Sequence, residues 1–295
     1  MSKMLVTGAS GFLGRRVVAF YKDTYEVIAP SHKAMDITDE EAVNSVFQID
    51  RPDIVIHCAA ESNVGACEKN PEVSQKQNIL GAENIVRAGR KVGAKCILFS
   101  SDQVYFGSRL EEAHKEEEPL IPGNHYGRQK QYAEQSCLSI DPDSVHLRLS
   151  WMYDINSFFT KDHKDFTSDF LEKFTQNQPF IYPIHDKRGI TDVWEVVKNL
   201  EKAKSLPGGI YHFGSPNERN TYETVKKLCE MLKLSKVQVQ ADLTSYCEAP
   251  RNLTMSQERI NRYGITFPDT IERLYDTMMT IRKDSGILKE GIITW

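Results

Sequence analysis

Short apolar, β-branched runs punctuate the first half of the chain at residues 3–7, 26–30, 53–60, 95–101 and 145–151. Between them lie longer segments with helical spacing, such as Val73, Gln77, Leu80, Asn84 and Ala88. Strands alternating with helices in this rhythm predict βαβ units and a parallel sheet, an α/β fold. The runs are too uniformly apolar to leave either face of that sheet in water, so helices are expected on both faces.

After Trp151 the rhythm loosens. A polar stretch, 154–165, precedes a helix expected at 166–176, and the compact run 209–214, introduced by Pro207-Gly208, is expected to return to the sheet. Further helices are expected near 221–232, 256–263 and 269–283, and no internal repeat or low-complexity tract is seen. At 295 residues the chain can bury a sizeable core, and two unequal lobes fit the change of pattern.

Composition narrows the function classes. A net charge of −4 spread over a mixed surface provides no basic field of the kind nucleic-acid binding needs, and an anionic ligand must then be held by local donors. The run Glu116-Glu117-Glu118 reads as a solvated loop. Six cysteines, Cys58, Cys67, Cys96, Cys137, Cys229 and Cys247, show no CxxC pairing and read as reduced structural thiols. No His/Cys/Asp cluster has metal-ligand spacing, so no metal is expected. No charged segment followed by an apolar stretch opens the chain, and no apolar run approaches the ~20 residues needed to span a bilayer, so a cytoplasmic protein without a membrane partner is expected.

The first strand runs into Gly8-Ala9-Ser10-Gly11-Phe12-Leu13-Gly14, and a helix follows. A glycine-rich turn between strand and helix lets backbone N–H groups approach a pyrophosphate, with the helix N-terminus supplying positive potential. The spacing is GxxGxxG, directly after an apolar strand, which favours dinucleotide binding over a tight turn without function. The second strand then bears on NAD against NADP. It ends in Pro30-Ser31-His32-Lys33, three donors and no carboxylate, which favours a 2′-phosphate, while a merely exposed loop is the alternative. Asp36 follows within reach of an adenine.

Tyr126-Gly127-Arg128-Gln129-Lys130 places a phenol and an ammonium on one helix face. Reduction of a ketone by hydride needs a proton for the developing alkoxide, and a phenol with a pKa near 10 serves only if a neighbouring cation stabilises its phenolate. The fourth strand ends in Ser100-Ser101-Asp102-Gln103, and strand carboxyl ends in a doubly wound sheet face the ligand crevice, so Ser101 and Asp102 are expected near Tyr126. Asp102 as a simple helix cap is the alternative.

Together, Gly8-x-x-Gly11-x-x-Gly14, Cys58-Ala59-Ala60, Asn78 with Gly81 and Asn84, Ser101-Asp102, Tyr126-x-x-x-Lys130 and Arg148-Leu149-Ser150-Trp151 resemble the extended short-chain dehydrogenases/reductases. Within them the chain is most similar to the dTDP-4-dehydrorhamnose reductase family, which also includes the regulatory β subunit of methionine adenosyltransferase. Weaker matches are Arg188 to Val193, Gly209 to Gly214 and Pro250-Arg251-Asn252.

The resemblance implies a Rossmann-type doubly wound sheet with a smaller C-terminal substrate-binding lobe, the NADP-binding domain covering 1–152 plus about 189–215 and the lobe covering 153–188 and 216–295. It implies catalytic roles for Ser101, Tyr126 and Lys130, with Asp102 in the same site. Cofactor contacts fall to Gly8, Ser10, Gly11, Phe12, Leu13, Gly14, Ser31, His32, Lys33, Asp36, Ile37, Cys58, Ala59, Ala60, Asn78, Tyr126 and Lys130. Substrate contacts fall to Glu61, Ser62, Gln103, Val104, Trp151, Arg188 and Arg251. Ser101 stands where the reductases usually carry Thr, and Gln103 where sugar-nucleotide dehydratases place a second acid, which argues against elimination of water.

The activity implied is NADPH-dependent reduction of the C4 ketone of a dTDP-6-deoxy-4-keto sugar, as in dTDP-rhamnose biosynthesis. The alternatives are a nucleotide-sugar 4-epimerase with a retained NAD(H), and a non-catalytic NADP-binding regulatory subunit. The expected partner is a nucleotide sugar, with a homodimer as the candidate assembly and no nucleic acid. After Trp151 the family's Gly-rich turn and Asn-Phe pair give way to Asp154-Ile155-Asn156-Ser157-Phe158-Phe159, where the resemblance stops identifying the sugar.

Overall fold

The computed structural model describes residues 1–161 and 163–288. Its strands are β1 (Lys3–Thr7), β2 (Glu26–Ile28), β3 (Ile54–His57), β4 (Lys95–Ser101), β5 (Val145–Leu149), β6 (Trp151–Tyr153), β7 (Phe180–Pro183), β8 (Asp186–Arg188), β9 (Ile190–Asp192), β10 (Gly209–Phe213), β11 (Val239–Asp242) and β12 (Arg251–Leu253). Six of them form one sheet in the order β10-β5-β4-β3-β1-β2, and every pairing in it is parallel. The order reverses at β1, whose neighbours are β2 on one side and β3 on the other. In a doubly wound Rossmann-type sheet the crevice beyond the strand carboxyl ends at that reversal is the ligand position.

Alternation along the strands sends neighbouring apolar residues to opposite faces, and both faces are covered. Val6, Ile56, Ile97 and Leu147 pack with Leu13, Val17 and Tyr21 of the helix Phe12–Tyr21 and with Val193, Val197 and Leu200 of the helix Val193–Ala203. Leu5, Val55, Cys96 and Leu98 pack instead with Val43 and Phe47, Ile85 and Val86, and Ala133 and Cys137. Each such side chain taken fully out of water is worth about 1.5–3 kcal/mol, which explains why the runs are apolar at every position rather than at alternate ones.

A second cluster gathers Tyr153, Phe166, Phe170, Phe180, Val225, Leu228, Leu274 and Met278, beyond the end of β5. Ile260, Ile265 and Phe267 pack into the cluster on the main sheet, so the stretch 216–288 contributes to both cores.

Several local expectations change. The expected strand 145–151 is two strands: β5 ends at Leu149, and β6 pairs with β9 outside the main sheet. The helix expected at 256–263 is only Glu258–Asn261, and the Ser256 N–H donates to the His114 carbonyl at 2.9 Å. The helical stripe through Val73 and Leu80 does not face the core: Val73 is 62% and Leu80 40% exposed. A π-helical turn at Lys76–Gly81 shifts the register there and turns Asn78 and Ile79 inward instead. The Glu116-Glu117-Glu118 run is solvated only in part, with Glu117 exposed. Glu116 is buried and accepts the His212 N–H at 3.1 Å, while Glu118 binds His114 Nδ1 at 2.7 Å.

Candidate active site

The glycine turn is built by close approach of backbones. Gly8 sits at φ +61°, where a side chain is strained, and a Cβ there would lie 2.7 Å from the Ala59 nitrogen at the end of β3. A Cβ at Gly14 would collide with the Gly8 carbonyl, so only glycine lets the helix seat on the turn. No side chain caps the first turn of the helix Phe12–Tyr21 and no acid lies in it, which leaves donors and positive potential for an anion. The residues fit a dinucleotide pyrophosphate. Ser10 and Gly11 are exposed at the turn, Phe12 is half-buried, and Leu13 points into the core and offers only its backbone.

Beside this cradle the end of β3 is fixed from two sides. The Thr7 hydroxyl bonds His57 Nδ1 at 2.8 Å and accepts the Ala59 N–H at 3.1 Å. Asn78 clamps Glu61 at both backbone polar groups, accepting its N–H at 2.9 Å and donating to its carbonyl at 3.0 Å, and also donates to Gln129 Oε1 at 2.8 Å. Asn78 therefore joins the strand end to the helix that carries Tyr126. Cys58 and Ala59 are half-buried in this wall, and Ala60 and Ser62 are exposed along its rim.

Ser31, His32 and Lys33 lie exposed on the turn after β2. Asp36 accepts the Thr38 N–H at 2.9 Å and hydroxyl at 2.8 Å, which holds its carboxyl below the usual range. Ile37 is buried against Gly81, and its carbonyl takes the Asn84 amide at 3.0 Å.

Tyr126 and Lys130 share the inner face of the helix His125–Ile140, started by Asn124, whose side chain accepts the Gly127 N–H at 2.6 Å. Both are buried, with the Lys130 ammonium 5.7 Å from the Tyr126 ring and donating to the Phe99 carbonyl on β4 at 2.9 Å. The Ser101 side chain faces the phenol and favours its ionisation. Lys130 does not draw the phenol down in this state: burial pushes Tyr126 above its ordinary value, opposed by Ser101. Burial also pulls Lys130 down to about 8, against the attraction of the Glu134 carboxylate.

Ser101, not Asp102, is the cap at the end of β4, its Oγ accepting the Gln103 N–H at 3.2 Å and donating to Asp102 Oδ1 at 3.2 Å. Asp102 reaches across to β8, where Arg188 donates to its Oδ2 at 2.9 Å and stacks 5.2 Å over the Trp151 ring. Burial raises the Asp102 carboxyl, with Arg188 opposing. Trp151 is braced edge-on by Phe166. Arg251 is committed to Asp186 at 3.0 Å and lies over the Tyr246 ring. Gln103 accepts from Asn124 at 3.0 Å, and Val104 is buried with Tyr105, Leu253 and Met255, so both side chains brace the site from behind.

Two further features were not anticipated. Arg16 pairs with Asp154, folding the polar stretch after β6 back over the helix Phe12–Tyr21, where Phe12 stacks on His163 at 4.0 Å. Arg148 makes a bidentate bond to Glu134 at 2.8 and 2.7 Å, both side chains 1% exposed. The one clue to the second pair was two basic residues, His146 and Arg148, inside an otherwise apolar central strand, where a buried charge demands a partner.

The model of the RmlD substrate binding domain family matches residues 2–281. A spore coat polysaccharide biosynthesis protein, SpsK, of Bacillus subtilis is 31% identical over 235 residues, 78% of this chain and 79% of that protein. The methionine adenosyltransferase 2 subunit beta of Xenopus laevis is 27% identical over 249 residues, 79% and 72% of the two chains. Among solved structures, the dTDP-4-dehydrorhamnose reductase of Bacillus anthracis in complex with NADP superposes with a TM-score of 0.81 at 25% identity, covering 95% of this chain and 100% of that one.

Proposed function

Because the chain belongs to the RmlD substrate binding domain family, we propose that it is an NADP(H)-dependent reductase acting on the C4 ketone of a dTDP-6-deoxy-4-keto sugar. The observation that carries the reading is the convergence of Tyr126, Ser101 and Lys130 at the end of β4, in the crevice that also holds the glycine cradle.

NADP(H), when bound, supplies the hydride. The chain's own residues then have separable tasks. The Gly8–Gly14 turn and the uncapped helix behind it bind the pyrophosphate, and the exposed Ser31, His32 and Lys33 meet the 2′-phosphate. Ser101 holds the carbonyl oxygen, and Tyr126 delivers the proton to that oxygen as it becomes an alkoxide. A phenol kept protonated by burial suits an acid. Lys130, adjacent and cationic below about pH 8, stabilises the phenolate left behind. Trp151 offers a ring face to the sugar, and Asp102 with Arg188 closes the crevice from the second lobe.

A panel of keto-sugar nucleotides assayed by loss of NADPH absorbance tests the reading. Turnover of a dTDP-6-deoxy-4-keto sugar supports it. Nucleotide that survives dialysis together with epimer formation would replace it with a 4-epimerase. The likeness to the methionine adenosyltransferase subunit favours a second reading, a nucleotide-binding regulatory subunit. Tight NADP(H) binding without turnover of any keto sugar, and co-purification with a synthetase, would select that one.

A further inference from the structure

Between the sheet and the helix His125–Ile140 lies an interior cavity of about 10 Å³, walled by His57, Ser100, Lys130, Glu134 and His146 among others. That is room for one water, and a water needs two to four polar partners. Ser100 supplies an unusual one: it is 5% exposed, and its hydroxyl has no hydrogen-bond partner within the protein. A buried polar atom left unpaired at the wall of a water-sized space, where other polar side chains meet an otherwise apolar lining, marks an internal water site.

We propose that Glu134, clamped by Arg148 and linked to Lys130 through a water held by Ser100 in this cavity, is a positioning residue that keeps Lys130 charged. The proposal rests on the reductase reading for its consequence, since that reading needs the cation beside Tyr126.

The charge inventory around Lys130 singles out Glu134. From β3, His57 is held neutral, with burial pulling it down to about 3 and its Nδ1 bonded to Thr7, and Cys58 is pushed up by burial. From β5, His146 is likewise pulled down to about 3. Burial pushes up the thiol of Cys67 from the helix Val64–Lys69, that of Cys137 on Lys130's own helix, and the Tyr126 phenol. Arg148 also comes from β5, but both of its carboxylate-facing arms are spent on Glu134. Glu134 is thus the anion facing the ammonium, one helical turn away, and it is the largest influence opposing the burial that draws Lys130 down to about 8. Lys130 lines the cavity, and with one N–H committed to Phe99 it has two more to donate.

The test is a titration of Lys130 itself by NMR on side-chain-labelled lysine, with Lys130→Met to assign the signal, in parallel with the pH profile of kcat. Glu134→Gln should lower the Lys130 midpoint by about one pH unit or more, the usual scale for losing a close opposite charge, and the alkaline limb of kcat should move down with it. Glu134→Asp, which keeps the charge, should restore most of both. Ser100→Ala, a small truncation that keeps the fold even if Glu134→Gln does not, should move the midpoint in the same direction by less. An unchanged Lys130 midpoint in Ser100→Ala overturns the water link, and an unchanged one in folded Glu134→Gln overturns the proposal. A midpoint that shifts as expected in a protein that turns over no keto sugar supports the coupling and counts against the reductase reading alone.

Discussion

Tyr126→Phe separates structure from chemistry because its two costs differ in size. The substitution removes one oxygen from a ring that is 8% exposed. That oxygen faces Ser101, whose hydroxyl keeps the Gln103 amide and Asp102, each at 3.2 Å, after the change. No polar group is orphaned, so the loss is at most that of one neutral hydrogen bond, about 1 kcal/mol, and Tm should fall by no more than about 2 °C. If the phenol is the general acid, the rate loss is ~10²- to 10⁴-fold, or about 2.7–5.5 kcal/mol of transition-state stabilisation. The assay is initial-rate NADPH oxidation on the best keto-sugar nucleotide, beside a thermal melt and an NADPH titration by fluorescence. The expected result is a kcat reduced at least ~100-fold, with NADPH affinity and KM little changed. Retention of more than about a tenth of kcat in a folded variant would refute Tyr126 as the proton donor.

Three other outcomes follow from the same geometry. NADPH should be preferred over NADH in kcat/KM, and Lys33→Glu should lower that ratio; an unaltered ratio would remove the exposed Ser31–Lys33 turn from 2′-phosphate recognition. Gly14→Ala drives a Cβ into the Gly8 carbonyl and should cost about 1–3 kcal/mol or more together with NADPH binding, so wild-type affinity and melting would contradict the cradle. Arg188→Met leaves the Asp102 carboxylate buried without its partner, a loss of about 3–5 kcal/mol at neutral pH. Since burial already raises the Asp102 carboxyl, its protonated form needs no partner and the Tm gap to wild type should narrow as pH falls; a gap constant from neutral to acid pH would show that the pair's charge is not what stabilises it.

What was legible along the chain is what depends on near neighbours. Strand positions followed from apolar runs because a parallel sheet buried on both faces leaves no polar register, as at Leu5 beside Val6 and Val55 beside Ile56. The glycine turn was legible because Gly8 and Gly14 are required by contacts within one strand–turn–helix unit and the strand next to it. The Tyr126 and Lys130 pairing follows from the pitch of a single helix. A strand-end position for Ser101 follows from the end of the run on β4.

Other features were decided only when distant segments met. The pairs Arg16 with Asp154, Asp102 with Arg188 and Glu116 with His212 join positions 138, 86 and 96 residues apart, and none has a periodic or local signature. Burial is a property of the surroundings, and whether a buried charge costs or stabilises depends on a partner elsewhere in the chain. The same holds for Ser101 acting as the cap while Asp102 turns to β8, and for Val73 and Leu80 left outside by a π-helical turn that no spacing rule anticipates. Hydrophobic periodicity and helix pitch are short-range and survive in the one-dimensional pattern. The electrostatics of the site are long-range in sequence, and only the packing of distant segments against one another sets them.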